Sequence, residues 1–89
     1  MSTHTSHPDI IKRLKRAEGH LKSIITMLEE GRSCLDIAQQ LQAVESAITN
    51  AKKILVHDHI EHCLEHAVRE GQQSADATLR EFKEITKYL

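Results

Sequence analysis

Aromatic residues are nearly missing from this chain: it has no tryptophan, one phenylalanine (Phe82) and one tyrosine (Tyr88) in 89 residues. Apolar burial must come from Leu, Ile, Val and Ala, and one chain of this size builds only a thin core from them. Part of the burial is therefore expected from other subunits. Two cysteines are too few for a disulfide scaffold. No apolar run of about 18 residues and no signal-peptide pattern are present, so a cytoplasmic protein with free thiols and no membrane partner is expected. The formal net charge is −1 with seven histidines counted as neutral, which excludes a uniformly basic polyanion binder. Nor is there a Gly-rich phosphate loop or an acid–base constellation, and the chain is too short for a deep pocket. Neither an enzyme nor an organic cofactor is expected.

What is present is helical periodicity. After a polar stretch read as a flexible arm (residues 1–6), Ser6-His7-Pro8-Asp9 looks like a helix start: a Ser cap, a first-turn Pro and an acid near the positive end. Ile10, Leu14, Ala17, Leu21, Ile24/Ile25 and Leu28 then step by three and four. Gly31 is the expected C′ residue. Ser33-Cys34-Leu35-Asp36 resembles a capping box with Asp in the Glu slot. Ile37, Leu41, Val44, Ile48, Ala51 and Leu55 follow, and Ile60, Leu64, Ala67 and Val68 extend the pattern. No Gly or Pro interrupts residues 32–70. This predicts one helix of about 35 residues, on the order of 50 Å long. After the break Gly71-Gln72-Gln73-Ser74, Ser74 is placed to cap a third helix carrying Ala75, Leu79, Phe82, Ile85 and Leu89 on one face. The expected fold is all-α: a single domain over residues 1–89, with three helices of which the second is much the longest. That helix cannot be covered by the rest of the chain and needs partner helices.

Four of the seven histidines fall between positions 57 and 66. His59 and Cys63 stand at i and i+4, one turn apart on one helix face, where imidazole and thiolate can grip a single ion. This pair of donor types suits Cu(I), Zn(II), Ni(II) or Co(II). Cys34, the other thiol, precedes His59 by 25 residues, about 37 Å along one helix. Its own helix cannot close that gap, but an antiparallel copy can, so a site built from Cys34, His59 and Cys63 lies between subunits. Other readings stand beside this one. Cys34 taken alone reads first as a small buried hydrophobe. His62 and His66 form a rival i, i+4 pair, while His20 and His57 read as surface residues. His4 and His7 belong either to a disordered tail or to an arm that supplies a fourth donor.

Lys12-Arg13-Leu14-Lys15-Arg16 places four cations in five residues, with Lys52-Lys53 as a second, weaker patch. Repeated in an oligomer, such a stripe suits the phosphates of DNA; alone, it is an ordinary solvated helix face. No helix-turn-helix, zinc-finger or basic-zipper signature accompanies it.

Taken together, Arg13-Leu-Lys-Arg-Ala-Glu-Gly19-His20, Met27-Leu-Glu-Glu-Gly-Arg-Ser-Cys34, Asp36-Ile-Ala-Gln-Gln-Leu-Gln-Ala43-Val44 and His57-Asp-His59-Ile-Glu-His-Cys63 closely resemble the CsoR/RcnR family of bacterial metal- and formaldehyde-responsive repressors, over nearly the whole chain. The resemblance implies a three-helix protomer, an antiparallel four-helix-bundle dimer and a dimer-of-dimers tetramer. It also implies operator DNA held by the metal-free protein and released by an inducer, which derepresses an efflux or detoxification operon. Arg13, Lys15 and Arg16 are then the phosphate contacts, with Lys12, Lys52 and Lys53 beside them. Cys34, His59 and Cys63 resemble the ligand set of the copper sensors, and an added His4 or His7 resembles that of the nickel sensors, so the implied inducer is Cu(I) or Ni(II)/Co(II). Ser33 stands where copper-type members often carry Tyr. Glu81 matches the third-helix acid that supports the ligands in the family. Cys63 argues against a formaldehyde sensor and His59 against a persulfide sensor, while a thiol-redox sensor that joins Cys34 and Cys63 as a reversible disulfide between subunits stands as a rival. A metal-storage helical bundle without DNA binding is the reading outside the family.

Overall fold

The computed structural model describes residues 6–70 and 75–89, with the backbone alone at positions 66, 67, 70 and 75. The described residues form three helices and no strand: α1 (His7–Glu29), α2 (Cys34–Glu70) and α3 (Ala75–Thr86). None of these helices is long and apolar enough to cross a membrane.

The helix boundaries follow local chemistry. Pro8 and Asp9 occupy the first turn of α1, where a missing N–H costs nothing and a carboxylate meets the positive end of the helix. At the other end Gly31 adopts a φ of 70°. This lets its N–H reach Leu28 O (3.1 Å) and lets Arg32 N–H reach Met27 O (3.0 Å), satisfying carbonyls that the helix end leaves open. The Ser33 hydroxyl then accepts the Asp36 N–H at 3.2 Å and starts α2. From there α2 runs unbroken for 37 residues, about 55 Å. Its apolar positions are spread around the helix instead of gathered on one face, the pattern of a helix covered from several sides.

Two expectations about helix ends are corrected. Ser6 makes no side-chain cap bond; its hydroxyl donates instead to Asp58 Oδ2 at 2.8 Å, across to α2. Leu89, read as part of the α3 face, lies beyond the helix end at Thr86, after a turn through Lys87 and Tyr88. The break at residues 71–74, including the proposed cap Ser74, lies outside the described residues.

α1 and α2 form an antiparallel hairpin whose core repeats every seven residues. The buried positions are Ile10, Ala17 and Ile24 on α1 and Ile37, Val44 and Ala51 on α2, with Val56 and Cys63 further along. Ile24, Ile37 and Val44 form the central cluster, with Met27 against it. Two polar bonds fix the register: Ser6 to Asp58, and His20 Nε2 to Gln40 Oε1. A seven-residue spacing is the signature of helices that wrap one another. Among the described residues α3 packs on α2 and does not touch α1.

The second apolar series remains uncovered. Leu14, Leu21 and Leu28 on α1 and Leu41, Ile48 and Leu55 on α2 also repeat every seven residues, and all are 39–59 % exposed. The protomer is a slab of 59 × 23 × 13 Å with a radius of gyration of 18.2 Å, against about 12 Å for a compact chain of this length.

Candidate metal centre

His59 and Cys63 project from α2 one helical turn apart, and α3 returns along that end of α2 to bring Glu81 to both of them. Glu81 Oε1 lies 3.7 Å from His59 Nε2, and Cys63 Sγ donates to Glu81 Oε2 at 3.9 Å. One donor atom from each of the three side chains lies within 4.8 Å of the other two. The burial is graded: Cys63 is buried, His59 is half-buried and Glu81 is exposed. Burial pushes the Cys63 thiol above its ordinary range, and the charge of Glu81 and its hydrogen bond push it further the same way. The metal-free site therefore keeps Cys63 as a thiol, and an ion that binds there must displace the proton.

Cys34 is the first residue of α2, exposed and free, at the far end of the helix from this cluster. The unbroken helix keeps the two thiols of one chain far apart, as expected. His62 is half-buried and outside the three-residue cluster; the side chain of its expected partner His66 lies outside the described residues. His7 opens α1 and is exposed. The Ser6–Asp58 bond seats that end of α1 beside the residue preceding His59. His4 lies outside the described residues.

Lys12, Arg13, Lys15 and Arg16 are exposed on α1, and Lys52 and Lys53 on α2. Arg13 Nε donates to Asp9 Oδ2 at 2.8 Å. Arg13 and Arg16 line a cleft between α1 and α2 together with Ala17, His20, Ala47 and Asn50. Two participants escaped the sequence reading. His20, taken for a surface residue, is half-buried and bonded across the hairpin; its place one turn after Arg16, beside buried Ala17, was the available signal. Asp58, never singled out, ties the start of α1 to the His59 turn.

A thiol, an imidazole and a carboxylate converging at one end of a helical hairpin form a donor set for a transition metal. The comparisons with known proteins agree with that class. Residues 6–88 match the family described as Metal-sensitive transcriptional repressor. The copper-sensing transcriptional repressor CsoR of Mycobacterium ulcerans is 43 % identical over 65 residues, covering 73 % of this chain and 56 % of that protein's length. Two solved structures share the fold. The nickel-responsive transcriptional regulator InrS superposes with a TM-score of 0.84 at 30 % identity, covering 100 % of this chain and 99 % of that one. The copper-sensing repressor CsoR with Cu(I) from Geobacillus thermodenitrificans gives 0.80 at 36 % identity, covering 98 % and 88 %.

The chain belongs to the metal-sensitive transcriptional repressors, the CsoR/RcnR family. It is thus a regulator and not an enzyme; its family acts on DNA and answers to a transition metal.

Proposed function

We propose that the metal-free protein, as a dimer or a dimer-of-dimers tetramer, holds operator DNA, and that a transition-metal ion taken up between subunits releases it to derepress an efflux or detoxification operon. Cys34 of one protomer and His59 and Cys63 of an antiparallel partner hold the ion. The observation that carries this reading is the placement of the donors on α2: His59 and Cys63 are together at one end, Cys34 is exposed at the other, and an uncovered apolar series runs between them. An antiparallel second copy covers that series and brings each Cys34 to the other chain's cluster.

Lys12, Arg13, Lys15 and Arg16, with Lys52 and Lys53 behind them, are the phosphate contacts. Closure of Cys34 onto the partner's cluster moves one α2 along the other, and the basic α1 helices, fixed to α2 by the His20–Gln40 and Ser6–Asp58 bonds, shift with it. Linkage then requires DNA to weaken metal binding by the same factor, typically ~1–3 kcal/mol. The relatives named above include both copper and nickel sensors. Two thiolates and one imidazole suit Cu(I); further nitrogen or oxygen donors suit Ni(II) or Co(II). The Ser6–Asp58 bond favours the second set, because it seats the start of α1, which carries His7, beside the residue preceding His59.

The test is fluorescence anisotropy of the reduced protein on its own promoter DNA, with Cu(I), Ni(II), Co(II) or Zn(II) added without oxygen. One metal is expected to release the DNA, and Cys34→Ala to abolish the release while DNA binding persists. DNA binding that no metal reverses would point to the thiol or aldehyde branch, and absence of DNA binding at low salt would leave a storage bundle.

A further inference from the structure

Glu81 touches both donor residues of α2, one carboxylate oxygen toward each. A side chain that only orients the imidazole needs to face His59 alone. Around an ion with tetrahedral bonds of ordinary length, neighbouring nitrogen and oxygen donors sit about 3.4 Å apart, and sulfur and oxygen donors about 3.6 Å. The separations here, 3.7 Å and 3.9 Å, each exceed these edges by about 0.3 Å. The two separations run to different carboxylate oxygens, and one donor atom each from His59, Cys63 and Glu81 lies within 4.8 Å of the other two inside one protomer, before any partner arrives.

We infer that Glu81 is itself a metal donor and sets the metal class of this protein: with Cys34 of the partner it completes a two-thiolate, imidazole, carboxylate site for a divalent ion such as Co(II), Zn(II) or Ni(II). The inference rests on the intersubunit reading of the proposed function. Its physical basis is hardness. A carboxylate oxygen is a good ligand for a borderline divalent ion and a poor one for Cu(I), which is satisfied by the two sulfurs and the imidazole. Glu81 is 62 % exposed in its side chain, so replacing it removes a donor without opening the core.

The experiment compares the reduced full-length protein with Glu81→Gln and Glu81→Asp by anaerobic Co(II) titration, read in the visible spectrum, and by competition for Cu(I) against a chelator. The wild-type protein is expected to give the intense ligand-field bands of four-coordinate Co(II) together with thiolate charge transfer. Glu81→Gln is expected to change the ligand-field envelope, to keep the thiolate band, and to weaken Co(II) binding by about tenfold or more, with Cu(I) binding held within about twofold. Glu81→Asp should restore part of the Co(II) spectrum. An equal loss for both ions would show that Glu81 only orients His59 and would overturn the inference, as would an unchanged Co(II) spectrum in Glu81→Gln. Either result leaves metal-triggered DNA release standing, because that reading is scored by anisotropy and by Cys34→Ala.

Discussion

Cys63 shows how one position serves both core and site. Its spacing of seven from Val56 makes it a core residue, and the 4 % exposure follows; its spacing of four from His59 sets it beside that imidazole, as the proposed metal site requires. Burial and the Glu81 carboxylate raise its thiol above the ordinary range in the folded chain. The neutral thiol is therefore favoured by folding. That stability is fully present below the ordinary thiol range and is lost as pH rises through the raised value. The melting temperature of the reduced, metal-free protein is expected to fall between about pH 8 and 11 more steeply in the wild type than in Cys63→Ala, as read by circular dichroism. Parallel slopes would show that Cys63 titrates as it does in the unfolded chain.

At the scale of elements, the proposed intersubunit site depends on α2 being continuous. A break between Cys34 and His59 would let one chain fold back and close its own site; an intact helix forbids it. The turn before α2 carries a specific backbone demand. Gly31 sits at φ 70° with open space where a Cβ would stand, so the cost of a side chain there is conformational and not steric crowding. Gly31→Ala is expected to destabilise the protein by about 1 kcal/mol without changing its helix content, as measured by urea unfolding. α3 has a different task. Among the described residues it packs on α2 alone, and its consequence for the site is the delivery of Glu81.

At the scale of the whole molecule, the hairpin is half of the helical bundle proposed above. One heptad series is buried inside the hairpin and a second lies on its surface, and leucines and isoleucines at such spacing mark a face made for other helices. Ile48→Glu, at the middle of the uncovered series on α2, is expected to shift the assembly to monomer in sedimentation analysis and to abolish inducer-responsive DNA binding with it. An unchanged oligomer would place the subunit interface elsewhere. The proposed phosphate contacts belong to the same scale, because a single stripe on a chain of net charge −1 would gain phosphate affinity by being repeated. The logarithm of the DNA affinity is expected to fall linearly with the logarithm of salt concentration, and Arg16→Ala to reduce that slope by about one for each subunit in contact.

Much of this was legible along the chain. Apolar steps of three and four, Pro8, Gly31 and the Ser33–Asp36 cap are local signals, set by backbone sterics and by hydrogen bonds within one turn, so the three helices and their order could be read directly. The His59/Cys63 pair was legible for the same reason, since i and i+4 are neighbours on any helix. Ser6, His20, Asp58 and Glu81 were not legible in this way. Ser6 had two possible partners, its own helix end and Asp58, and only the packing of α1 on α2 gave it to the second. Glu81 lies 18 residues beyond Cys63 across a break, and whether its carboxylate reaches the thiol depends on the angle at which α3 returns along α2. Local pattern determined which residues share a helix face; the docking of one helix on another determined which faces meet, because that geometry is set by contacts between residues far apart in the chain.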